Sequence, residues 1–271
     1  MSPDDFDRLQ SLMVSRAGFR LTRDRMKLAE HRLGPVARRE GFETVDAMLG
    51  SLWAKPVASL GWAVIEALLN PETWFRRDRV SFDTFGKELL PALGKARGGQ
   101  PVKIWSAGCS TGQEAWSLAI AAREAGVAVE IVATDLSQRA LEKARSGAYT
   151  GFEIQRGLKA ETMLRHFDQA EDAWIANAEL RAMVHFARAN LIDAPTDAHR
   201  FDIIFCRHVL GDADPARRGE MFDNLERRLV DDGCLFLGPD EQPEGDSIAF
   251  RPVAGRKGLF VKSPTALRRV A

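Results

Sequence analysis

The chain has 271 residues, 45% hydrophobic and 28% charged, with 38 Lys plus Arg matched by 38 Asp plus Glu. This is the composition of a globular protein of one large or two smaller domains; the balanced charge gives no general argument for nucleic acid, and no uninterrupted apolar run approaches the ~20 residues of a membrane span. Cys109, Cys206 and Cys234 form no CxxC pair, which points to reduced thiols, and the start Met-Ser-Pro-Asp-Asp-Phe lacks the apolar core of a signal peptide, so a cytoplasmic protein is expected.

Residues 3–69 read as helical throughout. Phe6, Leu9, Leu12 and Met13 share one helix face. Thr22 or Asp24 can cap a second helix through Met26, Leu28, Leu33 and Val36, which Gly41 ends. Phe42, Val45, Met48, Leu49 and Leu52 repeat the pattern, as do Trp62, Ile65, Leu68 and Leu69 after Pro56. A small all-helical domain over residues 1–70 is the expectation. Residues 71–100 are expected to form a linker with a helix at Phe82–Leu93, punctuated by Asn70-Pro71, Pro91 and Gly98-Gly99.

From residue 101 to 271 strands alternate with helices. Strands are expected at Val102–Ser106, Val129–Thr134, Met183–Arg188, Asp202–Cys206 and, after the turn Asp231-Asp232-Gly233, Gly233–Leu237. Helices are expected at Gln113–Glu124, Ser137–Gly147 and Pro215–Leu229. The alternation predicts an α/β fold with a Rossmann-like parallel sheet. The short runs Ile248–Val253 and Leu259–Lys262 predict an antiparallel hairpin at its end, a mark of methyltransferase sheets rather than dehydrogenases. Residues 150–182 exceed what one crossover needs; a helix at about Lys159–Leu164 and a small β insertion over 165–180 are expected there.

The most informative stretch is Ile104-Trp-Ser-Ala-Gly-Cys-Ser-Thr-Gly-Gln-Glu114, followed by Asp135 at the end of the next apolar run. A strand enters a loop of small residues and a helix follows. Gly108 and Gly112 would let backbone N–H groups approach a ligand, and Asp135 could accept both hydroxyls of a ribose. The glycines stand four apart rather than in G-x-G-x-x-G, which suits S-adenosylmethionine, a nucleoside without a pyrophosphate, better than NAD. His31, His166, His185 and His199 show no metal-ligand spacing and read as structural or solvated; no metal is expected.

These motifs resemble the bacterial chemotaxis receptor methyltransferases of the CheR family. The similarity runs through Asn70-Pro-Glu-Thr-Trp-Phe-Arg-Arg-Asp78, the glycine loop, Ala133-Thr-Asp-Leu-Ser137, Gly147-Ala-Tyr149, Asn190-Leu191, Phe201-Asp-Ile-Ile-Phe-Cys-Arg207 and Leu235-Phe-Leu-Gly238. The resemblance implies a helical N-terminal domain, a methyltransferase domain with a small β insertion, and S-adenosylmethionine as cofactor, with S-adenosylhomocysteine as product. It implies cofactor contacts at Thr73, Arg77, Glu114, Asp135, Asn190 and Leu191, to which Gly108, Arg207 and His208 are added by position. The implied reaction makes methyl esters on glutamates of chemoreceptor cytoplasmic helices. A carboxylate acceptor is already ionised at neutral pH, so no general base is needed and no catalytic residue is assigned.

Three positions depart from the family pattern. Arg76 replaces a phenylalanine of Thr-x-Phe-Phe-Arg. Cys206-Arg-His-Val-Leu-Gly-Asp-Ala213 replaces Cys-Arg-Asn-Val-Leu-Ile-Tyr-Phe, so His208 stands for an asparagine and the tyrosine near the methyl group is missing. Gly238-Pro-Asp-Glu241 replaces Gly-His-Ser-Glu. A non-catalytic cofactor-binding regulator, or a methyltransferase with another acceptor, is therefore the alternative.

Each contact also has a plainer explanation. Asp135 could cap the following helix, Glu114 could answer the helix dipole, Arg77 could be a surface residue and Asn190 a turn former. Arg76 is expected to be solvated. His208 could be satisfied by backbone groups, hydrogen-bond the cofactor or sense protons. The basic stretch Arg16–Arg39 is a solvated face or an electrostatic docking surface for receptor helices; nucleic acid is disfavoured because only Phe19 interleaves its arginines. The β insertion could add a peptide strand at its edge.

Overall fold

The structure, a computed structural model, describes residues 1–196, 198–243 and 245–263. It divides into two compact units, Met1–Asn70 with Asp212–Arg218, and Pro71–Gly211 with Gly219–Ala271. Residues 71–100, expected as a linker, fall in the second unit.

The first unit carries helices α1 (Pro3–Ala17), α2 (Met26–Arg39), α3 (Val45–Ala54) and α4 (Ala58–Leu68). Ser2 and Asp5 form a reciprocal capping box at the start of α1, and Gly18 ends it in the left-handed region at φ 76°. Phe6, Leu9 and Met13 are buried as the spacing predicts. Leu28 is not: it is 45% exposed, and Ala29 turns inward instead. Much of the basic stretch is internally paired. Arg23 meets Asp7 and Arg25 meets Asp212, while Arg32 donates to the carbonyls of Leu68 and Leu69. Arg20, Lys27 and Arg38 remain exposed.

In the second unit, α5 (Arg79–Thr84) runs through a π turn at Phe85–Leu89 into α6 (Leu90–Ala96). Pro91 was expected to break this helix. It lies in the first turn of α6, where a missing N–H is tolerated, and the wide turn before it absorbs the lost bond. The other elements are β1 (Val102–Ala107), α7 (Gln113–Ala125), β2 (Val129–Asp135), α8 (Gln138–Ser146), β3 (Ala148–Tyr149), α9 (Gly151–Gln155), α10 (Ala160–His166), β4 (Phe167–Gln169), β5 (Trp174–Ala176), α11 (Ala178–Arg181), β6 (Val184–Arg188), β7 (Phe201–Cys206), α12 (Pro215–Arg228, which belongs to the first unit as far as Arg218), β8 (Leu229–Leu237), β9 (Phe250–Pro252) and β10 (Leu259–Lys262).

Seven strands form one sheet in the order β6-β2-β1-β7-β8-β10-β9. The first five are parallel, and β10 pairs antiparallel with both β8 and β9, so the expected terminal hairpin closes the sheet. The strand order reverses between β1 and β7. In open α/β sheets, ligands bind in the crevice at the carboxyl ends of the strands at such a switch point. Every residue of β7 is buried, as befits a strand covered on both faces. Phe205 on β7 stacks on Phe236 at 4.3 Å and meets Phe85 edge-on at 5.3 Å.

One expected turn is instead a bulge. Asp231-Asp232-Gly233 lies inside β8, where a two-residue step on β7 (Phe201 to Ile203) faces a five-residue step on β8 (Leu229 to Cys234). Arg97 fastens this bulge, bonding Asp232 at 2.8 and 2.9 Å and Asp202 at 2.6 Å. The insertion is a three-stranded antiparallel sheet, β3-β5-β4, with α9 and α10 beside it.

Candidate cofactor site

The glycine loop leaves β1 and folds over the end of β2. Gly108 and Cys109 both donate their N–H to Thr134 O, at 2.8 and 2.9 Å, and Gly112 N donates to Cys109 O at 2.9 Å. The N–H groups of Gly108, Cys109 and Gly112 thus bond the end of β2 and the loop. The glycines are required for another reason. Gly108 has φ 80°, and a Cβ there would lie 2.5 Å from Val209 Cγ2. Gly112 has φ 95°, and its Cβ would lie 2.8 Å from Ala144 Cβ and 3.0 Å from Tyr149 Oη. Tyr149, the only tyrosine, is fully buried and braces the loop by donating to Thr111 O at 2.7 Å.

Asp135 ends β2 beside this loop. Its Oδ2 accepts from Ser110 N at 2.7 Å and its Oδ1 from Ser137 N at 2.8 Å. Ser137, rather than Asp135, caps α8 by accepting from Ala140 N. These two backbone bonds orient the Asp135 carboxylate at the end of β2.

Glu114 lies in the first turn of α7. Its Oε1 accepts from Ser106 Oγ at 2.9 Å and its Oε2 from Arg207 Nη1 at 3.2 Å. Burial pushes the Glu114 carboxyl above its ordinary value, while Arg207 and Ser106 pull it back. Arg207, at the end of β7, has a side chain only 1% exposed. Its Nη2 donates to Arg77 O at 2.6 Å and to Asp78 Oδ2 at 2.7 Å, and its guanidinium lies 5.3 Å from the Phe82 ring.

His208 follows in the left-handed region at φ 59°. Its Nε2–H donates to Asp78 Oδ2 at 2.6 Å, because a carboxylate there only accepts. Its backbone N donates to Glu241 Oε2 at 2.7 Å. Glu241 also accepts from Gly238 N at 2.7 Å and Gly211 N at 2.9 Å, tying the turns after β7 and β8 together.

The Thr73–Arg77 segment is anchored by Phe75, fully buried edge-on against Tyr149 at 5.1 Å and Phe167 at 5.7 Å. Thr73 lies half-buried in it. Arg77 stacks on Trp74 at 4.2 Å and donates Nη1 to Glu72 O at 3.0 Å; Arg156 covers the same indole at 4.1 Å. Arg76, expected to be solvated, is only 19% exposed and pairs with Glu124 at 2.7 Å. At the end of β6, Asn190 O accepts from Asp193 N in a turn, and buried Leu191 offers its carbonyl to Asn224 Nδ2 at 2.9 Å.

Gly108, Glu114, Asp135, Arg207 and His208 thus stand at the carboxyl ends of β1, β2 and β7 or one turn beyond. Asp78 and Glu241 belong to the same cluster and escaped the sequence analysis as individual residues. Each closed a quoted motif, but its partners are distant in the chain. The three cysteines are buried; burial raises all three thiols, Cys234 to about 12, which removes them from nucleophilic chemistry.

The donor set fits S-adenosylmethionine. A carboxylate at the end of β2 suits vicinal hydroxyls, and a second, buried one at the start of α7 suits a cationic amino group. Comparison with known proteins agrees. Residues 71–259 match the family model described as CheR methyltransferase, SAM binding domain. The chemotaxis protein methyltransferase Cher2 of Pseudomonas putida is 29% identical over 268 residues, covering 96% of this chain and 98% of its own length. Chemotaxis protein methyltransferase 1 of Pseudomonas aeruginosa is 31% identical over 246 residues, covering 88% and 89%. A probable biofilm formation methyltransferase WspC of Pseudomonas aeruginosa is 36% identical over 205 residues, covering 69% of this chain but 48% of that one. With the glycine loop, the two carboxylates and the reversed strand order in place, the chain belongs to the CheR family of S-adenosylmethionine-dependent methyltransferases.

Proposed function

We propose that the protein methylates glutamate side chains on the cytoplasmic helices of chemoreceptors, leaving glutamyl methyl esters. The observation that carries this reading is Glu114 fixed between Ser106 and Arg207 at the carboxyl edge of β1 and β7. The names of the similar chemotaxis methyltransferases support the same setting. When bound, S-adenosylmethionine supplies a methyl group on a sulfonium, which an ionised carboxylate takes without releasing a proton. What the chain must provide is therefore grip and orientation. Asp135 is assigned to the sugar hydroxyls, Glu114 to the amino group and Arg77 to the methionyl carboxylate, as a charge-assisted pair. Asn190 and Leu191 are assigned to the adenine, with Thr73, Gly108, Arg207 and His208 completing the wall.

The N-terminal stretch Arg16–Arg39 is the proposed docking face for acidic receptor helices. Arg20, Lys27 and Arg38 are among its exposed cations, and such steering weakens as salt rises. Among the described residues no helix is long and apolar enough to cross a membrane.

Purified protein, labelled S-adenosylmethionine and receptor cytoplasmic fragments should yield base-labile methyl esters. One observation favours a second reading, a cofactor-binding regulator: the sole tyrosine is locked behind the glycine loop, so no phenol stands where the family places one. Firm binding of S-adenosylhomocysteine with no transfer to any receptor fragment would select that reading.

A further inference from the structure

Asp78 closes the Thr73–Arg77 segment at φ 55° and stands at the N-cap of α5, where an aspartate ordinarily accepts from the first amides of the helix. Here its carboxylate makes no such bond. Its Oδ2 accepts from Arg207 Nη2 at 2.7 Å and from His208 Nε2 at 2.6 Å. Arg77 O, one residue earlier, accepts from the same Nη2 at 2.6 Å. The other terminal nitrogen of Arg207 reaches Glu114 Oε2 at 3.2 Å. Polar side chains therefore run Glu114, Arg207, Asp78, His208 in one connected row.

Within that row the Arg207–Glu114 contact is the longest. Glu114 cannot by itself fix a guanidinium that is 1% exposed. A cation so short of water needs partners held in place, and Asp78 with Arg77 O supplies the two short bonds. With Nη2 pinned, the planar fork leaves Nη1 aimed at Glu114. His208, which takes the place of an asparagine, adds a second donor to the same Asp78 oxygen.

We propose that Asp78 is a positioning residue for the cofactor: acting through Arg207, it holds the Glu114 carboxylate turned toward the cofactor's amino group. The inference rests on the assignment of Glu114 made above. Removing the charge at position 78 frees Arg207, and Glu114, already penalised by burial, loses its counterion. The cofactor then meets a neutral or misdirected group.

The test is calorimetry of S-adenosylhomocysteine binding to the full chain, its Asp78→Asn and Glu114→Gln variants, and the double variant. Asp78→Asn keeps the shape and removes the charge. The expected rise in dissociation constant is about tenfold or more for each single variant, the scale of an unmet charged hydrogen bond. The double variant should bind more tightly than the product of the two effects predicts, since both act through one guanidinium. A merely structural role for Asp78 would leave its effect independent of Glu114, and simple multiplication of the two effects overturns the proposal. Weakened binding in Glu114→Gln with none in Asp78→Asn overturns the role of Asp78 and leaves the Glu114 assignment standing. Unchanged binding in Glu114→Gln removes that assignment and the inference with it. Should Asp78→Asn not fold, Asp78→Glu keeps the charge but displaces Arg207, and an unchanged dissociation constant there overturns the proposal equally.

Discussion

Asp135→Asn separates the loop anchoring that the structure shows from the sugar contact proposed for the same side chain. In the parent, each carboxylate oxygen accepts one backbone N–H, Ser110 at 2.7 Å and Ser137 at 2.8 Å. An asparagine of the same shape has one acceptor oxygen. Its amide must face the other N–H as a second donor, whichever way it turns. One charge-assisted bond is therefore lost and the other weakened to a neutral one. Such bonds contribute about 1.5–3 kcal/mol each, and Asp135 is only half-buried, so water relieves part of the loss. The expected cost to the unliganded protein is about 2 kcal/mol, read as a lower urea midpoint. If the carboxylate also holds the sugar hydroxyls, S-adenosylhomocysteine binds more weakly by about a further 1–3 kcal/mol, read by calorimetry. Unchanged stability would refute the anchoring of the glycine loop by Asp135. An unchanged dissociation constant would refute the sugar contact, and either result can occur without the other.

Gly157 has φ 117°, and a Cβ there would lie 1.8 Å from Phe75 O, so Gly157→Ala should cost about 3 kcal/mol or more and loosen the Thr73–Arg77 segment; a parental urea midpoint would show that the turn moves freely. Asp202 accepts from Arg97 Nε at 2.6 Å and Lys103 N at 2.8 Å, and its loss in Asp202→Ala strands both donors, so we expect a cost of about 2 kcal/mol, with a loss under about 0.5 kcal/mol contradicting the clamp. His166 is 3% exposed, and burial holds its imidazole below the ordinary 6.5. The native state thus binds that proton less readily than the unfolded chain, so stability is full above the unfolded value and falls as pH drops through it toward the lower folded value. His166→Gln should lose less stability between about pH 7.5 and about pH 5.5 than the parent does; equal losses would rule out His166 as a source of acid lability.

The helices and strands of the second unit were legible because hydrophobic spacing, caps and glycines agreed locally. Ser137 caps α8 and Gly147 ends it, and both are visible in the sequence. The failures share a cause. Pro91 stays inside a helix because a π turn precedes it, and Asp231-Asp232-Gly233 stays inside a strand because Arg97 reaches back to hold the bulge. Gly233 fits there because a Cβ would lie 2.8 Å from Asp202 O. A local turn signal cannot show that a residue 135 positions away makes it a bulge. Leu28 is a milder instance: the spacing was right for a helix, but Ala29 takes the inward position.

The site divides along the same line. Gly108, Glu114 and Asp135 lie within one βαβ unit, so their neighbourhood follows from the fold class, and the motif located them. The packing around the glycines was not legible: their N–H groups bond Thr134 O and Cys109 O, and their missing side chains make room for Val209, Ala144 and Tyr149. Asp78 and Glu241 were invisible as site residues, since each does its work across a long stretch of chain, 129 positions from Asp78 to Arg207 and 33 from Glu241 to His208. One departure from the family pattern falls on this same network. His208 stands where an asparagine is usual, and it bonds Asp78, the residue that also bonds Arg207. The histidine gives that Asp78 oxygen a second donor beside Arg207. The divergence therefore changes the electrostatics beside Glu114 while leaving intact the Asp135 contacts that orient the other end of the site.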